Sequence, residues 1–250
     1  MPDMTQMAGR VVRGAQPYGA AGSAVPANGI AGRLTLRARD RLLTLGAACR
    51  FQPGEFLLRE GERSDHVLLL THGRVKLTSR AENGYAVVLG IRGPGDLVGE
   101  MAGLDSHPRS ATVVALDPIL ARLISGSDFR DFIDHERGAG IALAELIASR
   151  LRAANRRRLE FGAFPVRRRL ALVLLDLDRW HGVGASVDGN CRDIDLALSQ
   201  ADLAGLVGSS LESAAKAIRD LARQGIIRTR RRHVTILDRS ALSQLADESL

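Results

Sequence analysis

The pattern of apolar and polar positions changes several times along the chain. Residues 1–33 are rich in Gly, Ala and Pro and carry few large apolar side chains and no helical or strand period. Such a segment cannot bury enough surface to offset the entropy of ordering, so a disordered tail is expected. Leu34, Leu42, Leu43 and Leu45 then suggest a short helix. Short apolar runs follow: Phe56-Leu57-Leu58, Val67 to Leu70, Val75-Lys76-Leu77, Ala86 to Leu89, Ala111 to Leu116 and Ile119 to Leu123. Pro53-Gly54, Glu60-Gly61, His72-Gly73, Asn83-Gly84, Gly93-Pro94-Gly95 and Asp117-Pro118 separate them. Evenly spaced strands punctuated by Gly and Pro predict a sandwich or jelly roll, with Asn83-Gly84 as a two-residue hairpin turn.

After Asp128 the period becomes helical. Ile141, Ala144, Ala148, Leu151 and Asn155 recur at alternating spacings of three and four, the seam of a two-stranded coiled coil, and Leu143, Leu146 and Ile147 form a second apolar face. A long helix with a narrow seam predicts a homodimer through residues 141–159. Phe161 to Pro165 breaks this helix, Val166 to Trp180 reads as another with Trp180 as its anchor, and Val183 to Leu196 reads as a hairpin turning at Asp188-Gly189.

Ser199 followed by Asp202 has the spacing of a capping box, and Leu203, Ala204, Val207 and Gly208 follow at helix-turn-helix offsets. Ser210 is placed to cap a second helix whose inner face is Ala214, Ala217, Ile218 and Leu221, and Gly225 to end it. Ile226 to Arg228 and Val234 to Ile236 then form a wing tipped by Arg230, Arg231, Arg232 and His233. A basic tip on the phosphate backbone beside a helix in the major groove is the expected pairing. The candidate DNA contacts are Ser199, Gln200, Ser209, Ser210, Leu211, Glu212, Ser213, Lys216, Arg230, Arg231 and Arg232. Asp238 to Leu250 reads as a terminal helix.

Composition narrows the function classes. The 250 residues carry 35 basic against 28 acidic side chains, a net charge of +7 that favours a polyanionic partner. Lys76 and Lys216 are the only lysines, so the positive charge is mostly arginine, which makes two-pronged contacts to phosphate and guanine. Arg156 to Arg158 and Arg167 to Arg169 could equally steer DNA or form solvated helix faces. Two cysteines, Cys49 and Cys191, build no disulfide framework, and no apolar run reaches membrane-spanning length. With no secretion signal, the cytoplasm is the expected location. The six histidines show no zinc-ligand spacing, so no metal is expected and the histidines are read as surface or loop residues. No nucleophile, base and oxyanion set appears, so an enzyme is not expected.

A second constellation is Gly99-Glu100-Met101-Ala102 followed by Arg109-Ser110-Ala111. A glycine opening a helical turn, an arginine and a serine hydroxyl together describe a phosphate site. Glu100 beside a phosphate requires a donor on the ligand, and a ribose 2′-hydroxyl supplies one. Alone, Glu100 with Arg109 reads equally well as a structural salt bridge.

With these motifs, Pro53-Gly54-Glu55, Arg59-Glu60-Gly61, Gly73-Arg74-Val75 and Gly93-Pro94-Gly95-Asp96, the chain from Leu34 to Ile236 resembles the CRP/FNR family of bacterial transcription regulators. The resemblance implies an α+β architecture: an N-terminal double-stranded β-helix (jelly roll) that binds cyclic nucleotides, a long dimerisation helix, and a C-terminal winged helix-turn-helix. It divides the chain into a tail at 1–33, a jelly roll at 34–135, the dimer helix at 136–162 and the DNA-binding domain at 163–250. In cyclic-nucleotide-binding members the glutamate matching Glu100 holds the ribose 2′-hydroxyl, and the residues matching Arg109 and Ser110 hold the cyclic phosphate.

Two positions depart from that pattern. Cyclic-AMP-binding members present a Thr-Ser or Thr-Asn pair to the adenine where this chain has Ala154-Asn155. Asn155 can bond a base and Ala154 cannot, a loss of about 0.5–1.5 kcal/mol. Members reading the common palindrome carry Arg-Glu, then Arg four residues on, where this chain has Leu211-Glu212 and Lys216. A different operator is therefore expected.

The sequence thus reads as a homodimeric transcription regulator on a pseudo-palindromic operator, with cyclic AMP as allosteric ligand in a pocket completed by Asn155. Cyclic GMP or another nucleotide is the alternative ligand, and the resemblance adds RNA polymerase as partner of an activator. Competing readings are a nucleotide-independent regulator of the same fold and a protein-binding module that has lost base reading.

Overall fold

The computed structural model describes residues 29–82, 84–184 and 190–247. Residues 1–28, Asn83 of the Asn83-Gly84 turn, the Asp188-Gly189 turn and residues 248–250 lie outside the described residues. By contacts the chain divides into two compact units, Met1–Ser79 with Gly90–Arg152, and Arg80–Leu89 with Ala153–Leu250.

In the first unit, α1 (Leu36–Thr44) precedes β1 (Ala47–Phe51), β2 (Phe56–Leu58), β3 (Val67–His72), β4 (Val75–Arg80), β5 (Ala86–Arg92) and β6 (Leu97–Val98). A short helix α2 (Glu100–Asp105) leads to β7 (Thr112–Ala115), β8 (Ile119–Ile124) and α3 (Gly126–His135). Two four-stranded sheets result, ordered β1-β8-β3-β6 and β2-β7-β4-β5, the jelly roll expected from the strand spacing. Val67 to Leu70 of β3 is an unbroken apolar run because both faces of the strand are covered there. Leu68 and Leu70 join Phe51, Leu57, Val75, Val113 and Ile119 between the sheets. Val67 and Leu69 face a helical layer with Leu42, Phe129, Phe132, Leu143 and Leu146.

Two expectations for this unit need correction. The tail does not run to residue 33, because Ile30 is 0% exposed within the helical layer. The strands also include β1 and β6, which sequence patterning missed. β1 is Ala-Ala-Cys-Arg-Phe, which has no β-branched residue and is fixed by its antiparallel register with β8, and β6 is only two residues long.

The long helix α4 (Ala139–Ala163) buries Ala139, Ala142, Leu143 and Leu146 in the helical layer. Leu143 and Leu146 are thus core, while the seam residues Ile141 and Leu151 are 70% and 59% exposed.

The second unit contains α5 (Val166–His181), β9 (Gly182–Gly184), β10 (Arg192–Ile194), α6 (Gln200–Val207), α7 (Leu211–Arg223), β11 (Ile227–Arg230), β12 (His233–Ile236) and α8 (Arg239–Asp247). The strands form one sheet in the order β11-β12-β10-β9. Its core gathers Leu170, Leu174, Leu203, Val207, Ile218, Leu221, Ile236 and Leu242. Residues of the β4–β5 hairpin belong to this unit: a Cβ at Gly205 would lie 2.9 Å from the Val88 side chain and 3.0 Å from its backbone nitrogen. Only glycine allows α6 that approach. Trp180 does not anchor α5; it is 57% exposed, with the Arg179 guanidinium over its ring at 5.2 Å.

Candidate functional site

The first candidate site is built where β6 meets α2. Gly99 takes a left-handed conformation at φ 83° as the N-cap of α2, and a Cβ there would lie 2.6 Å from an Arg109 nitrogen. The glycine therefore bends the chain and makes room for the arginine. Arg109 is 3% exposed. Its Nε donates to Ser64 Oγ at 2.9 Å, one Nη to the Gly99 carbonyl at 2.8 Å and the other to the His66 carbonyl at 2.6 Å. An arginine has five N–H donors, so one on each Nη is left over. Burial pushes its pKa down, opposed by the charges of Asp65, Glu100 and Glu62, yet an arginine remains cationic. Among the described residues no carboxylate pairs with it directly.

Glu100 is 7% exposed and is paired elsewhere. Arg150 of α4 donates one Nη to Glu100 Oε1 at 2.7 Å and the other to the Leu97 carbonyl at 2.9 Å, with Asp96 Oδ1 at 3.4 Å. The alternative of a Glu100–Arg109 salt bridge is thus not what forms. Ser110 is exposed, with its Oγ 3.9 Å from Met101 Sδ. Met101 is 52% exposed, and Ala102 and Ala111 are buried. Asn155 is exposed on α4 in the second unit.

His66 lies in the loop before β3, one of the two settings expected for the histidines, and is half-buried there. Burial and the Arg109 charge, against a smaller opposing effect of Asp65, lower its pKa from 6.5 to about 4, and its buried Nε2 has no hydrogen-bond partner among the described residues. Sequence reasoning missed Ser64, His66 and Arg150, because none carries a local pattern tying it to the cassette. No group of three or more metal-ligating side chains exists among the described residues.

The second site lies on α6, α7 and the wing. Ser199 and Asp202 form a reciprocal capping box, the Ser199 backbone nitrogen donating to the Asp202 carboxylate at 2.9 Å and the Asp202 nitrogen to Ser199 Oγ at 3.1 Å, and the Ser199 hydroxyl also donates to that carboxylate at 2.7 Å. Gly208 turns the chain at φ 61°, and Ser210 caps α7 through the Ser213 nitrogen at 3.2 Å. Ser209 Oγ reaches the Ser210 carbonyl at 3.2 Å. Ser199, Ser209 and Ser210, expected to touch DNA, thus have hydroxyls engaged in shaping the motif. Gln200, Leu211, Glu212, Ser213 and Lys216 are exposed. Lys216 shares an open groove of about 630 Å³ with Arg219, Asp220, Ala222 and Arg223. Arg219 and Arg223 add basic groups that the candidate set omitted, although their spacing from Lys216 along a helix could have shown them.

Arg230, Arg231 and Arg232 are all exposed at the wing tip. At its base Asp193 accepts Thr235 Oγ1 at 2.6 Å and faces His233 Nε2 at 3.3 Å, and the Thr235 bond above all holds its pKa below the ordinary range. The run Arg167 to Arg169 is engaged within the unit. Arg169, 9% exposed, donates to the Val207 and Gly208 carbonyls at 2.7 and 3.0 Å, capping the C-terminus of α6. Arg168 reaches the Ala246 carbonyl at 2.9 Å, and Arg167 the Gln224 side chain at 2.6 Å.

Comparison with known proteins covers the regions in which both candidate sites lie. Residues 48–136 match the cyclic nucleotide-binding domain family, and residues 168–245 match the Crp-like helix-turn-helix domain family. A CRP-like cAMP-activated global transcriptional regulator of Mycobacterium tuberculosis is 30% identical over 196 residues, 78% of this chain and 86% of that protein. The chain belongs to the CRP/FNR family. The cyclic AMP receptor protein of Thermus thermophilus is 28% identical over 197 residues, again 78% of this chain and 86% of the relative. Among solved structures, a CRP/FNR-family transcriptional regulator of Thermus thermophilus superposes with a TM-score of 0.67 at 25% identity, covering 80% of this chain and 98% of that one. The c-di-GMP responsive global regulator CLP of Xanthomonas campestris superposes with a TM-score of 0.71 at 21% identity, covering 81% and 99%. As a CRP/FNR member the chain is a transcription regulator with a cyclic-nucleotide-binding domain and a DNA-binding helix-turn-helix. No helix among the described residues is long and apolar enough to cross a membrane.

Proposed function

We propose that this CRP/FNR member is a cyclic-AMP-responsive regulator that acts as a homodimer on a pseudo-palindromic operator. One observation carries the nucleotide reading: Arg109 is a buried cation whose partners are all neutral oxygens. A buried charge is normally paired, and an arginine with one N–H free on each Nη fits two oxygens of a phosphate. Gly99, Glu100, Met101, Ala102, Ser110 and Ala111 surround that arginine in sequence and supply the hydroxyl and carboxylate a cyclic ribonucleotide needs. The activity of the mycobacterial relative supports cyclic AMP as the nucleotide.

Allostery follows from α4, which carries both Arg150 and the exposed seam of Ile141, Ala144, Leu151 and Asn155. A ligand whose ribose takes Glu100 must displace or share the Arg150 guanidinium, so it acts on the helix that bears the dimer contacts. Ligand preference for one dimer arrangement then changes DNA affinity. The two recognition helices of the dimer should read half-sites about 34 Å apart. A second reading, another nucleotide as effector, is favoured by Ala154, which lacks a side-chain hydrogen-bonding group.

Isothermal titration with cyclic AMP, alongside Arg109→Ala, tests the reading. Micromolar binding abolished by the substitution supports it. No heat with the wild type, but heat with cyclic GMP or cyclic di-GMP, transfers the site to that ligand. Fluorescence anisotropy on genomic DNA fragments completes the test, and equal affinity for every fragment with and without nucleotide excludes the regulatory reading.

A further inference from the structure

The exposed first turn of α7 combines side chains that restrict which bases it can read. Leu211, the first residue of the helix, is 54% exposed, a large apolar side chain on a face otherwise polar or charged. Ser210 Oγ is committed to the cap through the Ser213 nitrogen and bonds the Ser213 hydroxyl at 3.0 Å. Glu212 is exposed and can only accept when ionised. The cations begin a turn later, with Lys216, Arg219 and Arg223 along the groove. From Ser210 to Ala214 there is no lysine, no arginine and no amide.

The N-terminal residues of a recognition helix are those that meet base edges in the major groove. A turn with neither a cationic fork nor an amide forms none of the two-pronged bonds that select guanine or adenine. It offers instead an apolar surface, which fits the thymine 5-methyl group, and a carboxylate, which fits the cytosine amino group. We propose that the first turn of α7 reads pyrimidines, with Leu211 as a specificity-determining residue packed on a thymine methyl and Glu212 accepting from a cytosine. The basic groove beyond it continues the same interface toward the phosphates. The inference rests on the helix-turn-helix binding DNA, not on the identity of the effector.

The test begins by selecting operators from a random duplex library with the full-length protein, with and without cyclic AMP. Each thymine of the selected half-site is then replaced by deoxyuridine, which removes the methyl group and leaves base pairing unchanged. One thymine per half-site should show about a three- to tenfold loss of affinity on this replacement. Leu211→Ala should abolish that sensitivity while leaving the thermal midpoint and nucleotide binding as in the wild type, since the side chain is exposed. Leu211→Arg should shift the selected base at that position to guanine. Half-sites in which no thymine responds to deoxyuridine, or a response that survives Leu211→Ala, overturn the proposal. Selection that yields no enriched sequence overturns base reading by the helix altogether, a result distinct from loss of the thymine contact alone.

Discussion

The Arg150 guanidinium lies 2.7 Å from the Glu100 carboxylate and also donates to the Leu97 carbonyl, so a residue of the long helix holds the acidic first residue of α2 and the strand before it. Both side chains are largely covered, at 18% and 10% exposure. Removing one partner of a buried pair costs about 3–5 kcal/mol because the other charge is left without a counterion. Slight exposure places this pair at the lower end.

Arg150→Met should therefore lower the thermal midpoint. If Glu100 holds a ribose as proposed, it should also weaken communication, because the helix loses its grip on that carboxylate. The ratio of DNA affinities with and without cyclic AMP, measured by anisotropy, should fall toward one. A variant that is destabilised yet keeps the wild-type ratio would confine Arg150 to a structural role.

His66 gives the first unit a dependence on pH. Its pKa is about 4 in the folded protein against an ordinary 6.5. Between these values the unfolded chain takes up a proton that the folded chain does not. Stability should then fall as pH drops from about 6.5 to about 4, by at most about 1.4 kcal/mol per pH unit, and less because the ring is only partly buried. His66→Asn should flatten this part of the curve relative to wild type in denaturant titrations at several pH values. Parallel curves for the two proteins would exclude the histidine as the source.

Arg169 makes a separate prediction for the helix-turn-helix. Its two bonds to the carbonyls ending α6 are charge-assisted, and such bonds contribute about 1.5–3 kcal/mol each. The turn they secure includes Gly208, where a Cβ would come within 2.8 Å of the Phe161 ring. Arg169→Leu and Gly208→Ala should both destabilise the second unit and weaken DNA binding, with nucleotide affinity unchanged within about twofold. Calorimetry and titration of the same preparations check this. A matching fall in nucleotide affinity would show that the damage is not local.

Local chemistry explains what was legible in the sequence. The Ser199–Asp202 capping box, the Gly208 turn and the Ser210 cap form within a few residues of one another, and the structure has all three. The doubly covered strand β3 was visible because each of its faces needs apolar side chains. What stayed hidden depends on distant partners. Ser64 and His66 meet Arg109 only after the jelly roll closes, and Arg150 meets Glu100 only because α4 packs back on the core. β1 owes its place to β8 rather than to strand propensity, and Ile30 is buried by a layer formed much later in the chain. The arginine run at Arg167 to Arg169 shows the reverse error. Charge alone suggested solvent or DNA, yet all three side chains bond within the unit.

At the wing, stability and binding should move in opposite directions. Arg232 is one of two non-glycine residues with positive φ among those described, at 57°, and Arg231 and Arg232 are both exposed. A side chain in the left-handed region costs about 1 kcal/mol or more, which glycine avoids. Arg232→Gly should therefore leave the thermal midpoint unchanged or raise it. If Arg232 contacts a phosphate, the same change removes one released counterion, and the slope of log affinity against log salt should become shallower by about 0.9. Arg231→Ala, with no backbone strain to relieve, should change the salt slope similarly without the gain in stability. An unchanged slope in both variants would take the wing tip off the phosphate backbone and leave α7 as the main source of DNA affinity.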